Sequence, residues 1–206
     1  MTSTESKKNL LVVMSGPSGV GKTSIRNGLL KACKGMVCSV SCTTRKPRGR
    51  EVNGKDYYFL SESEFATRVK RGELLEHAVV HGCRYGTPRG MVEQALSSGK
   101  DVLLVIDVQG AEQVRARVRK EPDGGVLKRG FVDIFVMPPS MEELAQRLKG
   151  RREDPPEVVE RRLANARQEM ACSDRFKHRV VNENIEGTVN QLRQILDKER
   201  CAEANK

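Results

Sequence analysis

An α/β fold, a parallel sheet flanked by helices, is predicted by three features of this 206-residue sequence. Short continuous apolar runs recur along the chain, helical patterns with start signals lie between them, and a glycine-rich segment directly follows the first run. A short apolar run without polar alternation suits a strand buried on both faces, the situation inside a parallel sheet. Residues 10–14, 102–106 and 131–136 are such runs. Strands alternating with helices imply right-handed crossovers and place ligands at the carboxyl ends of the strands.

The first run leads into Gly16-Pro17-Ser18-Gly19-Val20-Gly21-Lys22-Thr23, a complete G-x-x-x-x-G-K-[ST],. Residues 24–34, from Ser24 onward, read as a helix, so the motif sits between strand and helix as it must. The glycines let backbone N–H groups converge on phosphate oxygens, and the helix N-terminus adds positive potential. Lys22 supplies a point charge to the β and γ phosphates, and the Thr23 hydroxyl is the candidate Mg²⁺ ligand. ATP or GTP binding follows, but the acceptor does not: motors, GTPases, ATPases and small-molecule kinases share this loop.

The stretch from about residue 37 to 86 departs from the strand and helix rhythm. Short β-like pieces at 37–41, 57–60 and 74–81 surround one helix, which Ser61 and Glu64 open with capping-box spacing,. This is read as a small inserted subdomain, about 41–86. It carries Ser41-Cys42-Thr43-Thr44-Arg45-Lys46-Pro47-Arg48, then Glu51, Gly54, Tyr57 and Phe59. Hydroxyls, arginines and a tyrosine suit a phosphate monoester with a polar head.

Beyond it, Thr87-Pro88 is read as a helix start. The run 102–106 ends in Asp107, a carboxylate at the carboxyl end of a strand, and Ser140 with Glu143 opens another helix,. A charged segment, about 149–160 with Pro155 and Pro156, follows a helix that stops near Gly150 and suits a mobile lid, assigned to about 147–162. A late run, 179–181, precedes Asn182, and the last helix, about 186–200, is amphipathic through Val189, Leu192, Ile195 and Leu196,. The core is then about 9–40, 87–146 and 163–206, in one domain.

Composition narrows the partners. Thirty-seven basic against 27 acidic residues give +10, which favours anionic partners,. The basic residues are interspersed with acidic ones and no aromatic-plus-basic motif is present, so nucleotides are expected rather than nucleic acid. No window approaches a membrane span and the first eight residues are polar, so no membrane association and a cytoplasmic location are expected. Six scattered cysteines lack zinc-ligand spacing and are read as free core thiols,.

The string Thr43-Thr44-Arg45-x-x-Arg48-x-x-Glu51-x-x-Gly54-x-x-Tyr57-x-Phe59-Leu60 resembles the signature of the guanylate kinase family at every position. The resemblance runs from residue 10 to about 184, with the phosphate loop, the small subdomain and the lid in family order. It implies a transferase that moves the γ-phosphoryl of ATP onto GMP, with Mg²⁺, as a monomer or homodimer. It also implies that Arg45, Arg48, Tyr57 and Tyr85 grip the GMP phosphate, while Ser41, Glu76 and Thr87 contact the base. Asp107 would orient Mg²⁺ water or the GMP end. Arg147, Arg151 and Arg162 would approach the transferred phosphoryl, and Asn182 matches the adenine-contact position. Guanine offers two N–H donors, at N1 and N2, to one carboxylate such as Glu76, and adenine does not. The chain departs from the family at Val105, where many members carry a second acid, at Arg152 in place of Gly, and at Pro155-Pro156. The last two predict a stiffer lid.

Two other functions fit part of these features. A phosphopeptide-binding module related to this family would use the subdomain without catalysis, but such modules usually degrade the loop that Lys22 and Thr23 keep intact here. A P-loop kinase for another small acceptor would leave Ser41, Glu76 and Thr87 coincidental.

Overall fold

The computed structural model describes residues 8–80, 82–149 and 156–201. The first half comprises β1 (Leu11–Ser15), α1 (Lys22–Ala32), β2 (Met36–Cys38), β3 (Cys42–Thr43), β4 (Tyr58–Phe59), α2 (Glu62–Lys70), β5 (Leu74–Val80) and β6 (Cys83–Pro88). The second comprises α3 (Arg89–Ser97), β7 (Asp101–Val105), α4 (Val108–Lys120), β8 (Phe131–Met137), α5 (Met141–Lys149), α6 (Pro156–Met170), a short 3-10 turn (Ser173–Arg175), β9 (His178–Val181) and α7 (Ile185–Cys201).

Five strands form one all-parallel sheet in the order β2-β7-β1-β8-β9. Its central strand β1 is wholly buried, and alternation sends its side chains to two different layers,. Val12 and Met14 join Ile25 and Leu29 of α1 and Leu192 and Leu196 of α7 on one face. Leu11 and Val13 join Val92 and Leu96 of α3 and Ala111, Val114 and Val118 of α4 on the other. Burying each such aliphatic side chain contributes about 1.5–3 kcal/mol, which is why the runs could be read as two-faced strands. The second sheet, β4-β3-β6-β5, is mixed: β3 and β4 are parallel, while β6 is antiparallel to both its neighbours. It has its own small core of Cys42, Phe65 and Leu74.

Several expectations shift. The piece expected at 37–41 is divided: Val37 pairs with Val102 at the edge of the parallel sheet, and the small sheet begins only at Cys42. Thr87 does not cap a helix. It lies within β6, which runs to Pro88, and α3 starts after Pro88 with no side-chain cap, Pro88 having supplied the fixed φ of a helix entry,. By contrast Ser61 accepts from the Glu64 N–H in a complete capping box, and Ser140 accepts from Glu143 N–H at 3.1 Å. Of the segment expected as a lid, residues 156–162 are already helical in α6, with Pro156 at the first helical position,. Gly150, Arg151, Arg152, Pro155 and the strand end at His81 lie outside the described residues. All six cysteines are free, yet only Cys42 is buried, so the expected core thiols reduce to one.

Candidate active site

The phosphate loop is held by close packing that excludes side chains. Gly16 has φ 145°, and a Cβ there would lie 2.3 Å from the Val136 carbonyl oxygen of β8, so only glycine permits this approach. Gly21 has φ 101° and faces the Asn182 amide, 2.7 Å from where a Cβ would stand. Asn182 itself is 1% exposed. Its Nδ2 donates to the Val20 carbonyl at 2.7 Å, and its Oδ1 accepts from the Thr188 hydroxyl at 2.9 Å. The side chain expected at an adenine contact is therefore a strut that ties the loop to the β9–α7 junction, with its polar atoms engaged inside the fold. Lys22 donates to the Gly16 and Pro17 carbonyls, at 2.6 and 3.0 Å, folding its ammonium over the loop. Thr23 and Ser24, the next residues of α1, are exposed.

Across from the loop stands Glu76. Leu74, Leu75 and Glu76 are all buried, which strict strand alternation would forbid, and a register shift between Leu74 and Glu76 re-aims the carboxylate,. Thr87, its partner across the hairpin, donates its hydroxyl to Glu76 Oε1 at 2.6 Å. Burial pushes the Glu76 carboxyl up to about 7, the Thr87 hydroxyl opposes the rise, and the nearby Asp107 charge adds to it,. Asp107 caps α4, its Oδ1 accepting from Gly110 N–H at 2.7 Å. Gly110 brings that helix against Glu76: a Cβ there would meet Oε2 at 2.7 Å.

The arginine cluster of the small sheet is pre-shaped by Glu51. Arg45 reaches it with Nη1 and Nη2, at 2.8 and 2.9 Å, in a bidentate pair,. Arg48 N–H donates to the same carboxylate at 2.7 Å. The bond from Arg45 and then that from Arg48 N–H hold the Glu51 carboxyl down at about 2, and Glu51 in turn raises Arg45. The Arg45 guanidinium lies over the Tyr57 ring, 5.2 Å from its centroid, and Tyr57 meets Tyr85 edge-on at 6.0 Å. Glu51 was legible only as a letter of the signature; its bidentate grip is what gives it a role.

These pieces face a cleft of about 690 Å³. Gly16, Ser18 and Lys22 line it from the loop, Ser41, Tyr57, Glu76 and Tyr85 from the small sheet, and Asp107 and Arg162 from the helices. Val105, where the resemblance would place an acid, is also on its wall. Arg45 and Thr87 do not line it and are engaged with Glu51 and Glu76. Arg48 and Arg147 are elsewhere: Arg48 is exposed, and Arg147 Nη2 donates to Glu143 at 2.5 Å and to the Asn182 carbonyl at 3.1 Å. Asn165, Gln168 and Glu169 of α6 line the cleft as well and were not foreseen. For Asn165 and Glu169 the spacing from Arg162 carried the signal, since i, i+3 and i+7 share one helix face.

A glycine-rich loop of phosphate-loop sequence after the central strand of a parallel sheet, with a second sheet lining the same cleft, is the arrangement of a P-loop kinase of small molecules. Comparison with known proteins narrows this. The family model for guanylate kinase matches residues 8–199. The guanylate kinase of Wolbachia pipientis wMel is 44% identical over 197 residues, 96% of this chain and 94% of that protein. The guanylate kinase of Gloeobacter violaceus is 45% identical over 189 residues, 92% of this chain and 87% of that one. The crystal structure of guanylate kinase from Anaplasma phagocytophilum superposes with a TM-score of 0.73 at 37% identity, covering 94% of this chain and 87% of that chain. The chain belongs to the guanylate kinase family. Among the described residues no helix is long and apolar enough to cross a membrane.

Proposed function

We infer that this protein catalyses transfer of the γ-phosphoryl of ATP to GMP, giving ADP and GDP. The observation that carries the choice of acceptor is the buried Glu76 carboxylate, held by Thr87 on the wall of the cleft that the P-loop enters. An acceptor-only carboxylate meets the two N–H donors of guanine and repels the N1 acceptor of adenine. A base that leaves it unpaired costs about 1–3 kcal/mol per polar group, enough for selection without editing.

In this reading Arg45, Arg48, Tyr57 and Tyr85 hold the GMP phosphate, with Ser41, Glu76 and Thr87 on the base side. Glu51 fixes Arg45 in a rigid orientation, so little side-chain entropy is lost on binding. Lys22 and the loop N–H groups hold the donor phosphates, and Arg162 from α6 adds positive charge where charge accumulates during transfer. Arg147 and Arg151 belong to the same group by motif position. Because transfer asks for alignment and charge neutralisation more than for proton chemistry, Asp107 acts as an orienting carboxylate rather than a strong base.

The donor set fits Mg²⁺. The exposed Thr23 hydroxyl and the Asp107 carboxylate on the cleft wall would hold it, which suits an ion that keeps most of its water and takes few protein ligands. When bound it supplies neutralisation of the phosphate charge. The 41–86 region is the acceptor subdomain and 147–162 the lid. Since every proposed contact comes from one chain, a monomer or a homodimer works equally, and a cytoplasmic setting supplies both nucleotides.

The test is a coupled ADP-release assay with ATP and Mg²⁺, comparing GMP, AMP, CMP, UMP and no acceptor. Turnover with GMP alone is expected. Silence with every acceptor despite GMP binding would refute the reading in favour of a binding module.

A further inference from the structure

Helix α6 turns one polar stripe toward the cleft, with Arg162, Asn165 and Glu169 on it,. Arg162 has a place in the proposed reaction; Glu169 has none. Its surroundings are those of a phosphate. Ser18 of the loop and Lys22 share the cleft with it. Burial pushes its carboxyl up, the Lys22 ammonium pulls it back, Asp107 adds to the rise and the Ser18 N–H opposes it. The Oε2 atom is buried and accepts no hydrogen bond among the described residues, an arrangement that normally costs stability and calls for a reason.

We propose that Glu169 is an internal anion of the P-loop that the phosphates of ATP displace, coupling donor binding to the position of α6 and of Arg162 on it. The proposal rests on the cleft being the ATP:GMP transfer site. A carboxylate and a phosphate seek the same partners there, the Lys22 ammonium and loop N–H groups. As the phosphates enter, like charges repel in a partly desolvated site, and the carboxylate recedes. Arg162 lies about two turns away on the same face of the same helix, so a retreat of Glu169 moves it too. Glu169 is thus a positioning residue, acting through the loop, Lys22 and α6.

The experiment compares wild type, Glu169→Gln and Glu169→Asp by calorimetry, titrating ATP with Mg²⁺, inorganic tripolyphosphate and GMP, with Tm measured alongside. Glu169→Gln keeps the shape and removes the charge, so it should bind ATP and tripolyphosphate about three- to tenfold tighter, the size expected for removing one like charge at close range. GMP affinity should stay where it is and Tm should hold or rise, since a buried unpartnered charge is removed, and Glu169→Asp, still charged, should not tighten. Unchanged or weaker ATP binding in Glu169→Gln overturns the proposal, as does tightening in Glu169→Asp. A fall in Tm with ATP and GMP weakened together also overturns it, by assigning Glu169 to the fold. Wild-type GMP turnover is measured separately, so failure of the enzyme reading is recognised independently of this comparison.

Discussion

At the scale of single residues, Glu76 is the most informative group, because its surroundings oppose the charge its role needs. With its carboxyl raised from the ordinary 4.5 to about 7, the folded protein retains a proton that the unfolded chain releases. This contribution to stability is therefore fully present below pH 4.5 and falls as pH rises toward 7, by roughly 3 kcal/mol in all. GMP binding runs the other way, since the N1 and N2 donors of guanine prefer the carboxylate. GMP affinity is expected to be about tenfold weaker at pH 6 than at pH 8, with proton release on binding. The GMP phosphate titrates near pH 6 as well, but it is still present when Glu76→Gln is assayed. That variant should lose the steeper part of the profile and the preference for GMP over AMP, and unchanged selectivity would place guanine recognition elsewhere.

At the scale of elements, contacts between neighbours decide where these side chains can point. Gly110 sits in the first turn of α4, where alanine would normally favour the helix by about 1 kcal/mol. Here a Cβ would press on Glu76 Oε2 at 2.7 Å. Gly110→Ala should therefore weaken GMP binding and leave ATP binding intact, a separation that equilibrium titration of each nucleotide resolves. Asn182→Ala should do the reverse. Removing the strut takes the amide donor from the Val20 carbonyl, while the Thr188 hydroxyl keeps the Asn184 carbonyl at 2.8 Å, a loss of about 1–3 kcal/mol. Tm should fall and ATP binding weaken more than GMP binding. Sequence pattern carries such elements unevenly. The apolar runs of β1, β7 and β8 and the Ser61 capping box follow from local rules, and they were legible. The assignment of Val37 and Cys38 to the parallel sheet was not, because strand pairing to Val102 is a long-range choice that local propensity does not encode. Nor was the end of Thr87's role as a cap: Thr-Pro looks like a helix entry, and only the hairpin register reveals that its hydroxyl faces Glu76. Arg147 and Asn182 were matched by position along the chain, and position alone says nothing about which neighbour takes the side chain's hydrogen bonds.

At the scale of the whole molecule, the large sheet has a core on each face and the small sheet a small one of its own, Leu75 of β5 joining the former, and the cleft is lined from both sheets. On the proposed reading, the binding groups for the acceptor come from the small sheet and those for the donor from the loop after β1, while α6 faces the space between them. Substitutions should sort accordingly. Lys22→Ala, on the donor side, should abolish transfer while GMP still binds, and unchanged turnover would remove the P-loop from the mechanism. Arg162 lines the cleft without belonging to the Arg45–Glu51 pair proposed for the GMP phosphate. Its charge matters most when the phosphoryl group is between donor and acceptor, because only then is charge gathered in front of α6. An arginine that stabilises such a state contributes about 10³–10⁵ in rate in related transfers. Arg162→Ala should thus lower kcat by a factor approaching that range while the GMP Kd, measured at equilibrium, is preserved. If kcat holds and the GMP Kd weakens instead, Arg162 is an acceptor-binding residue, and the arginine serving the transferred group must come from Arg147 or Arg151.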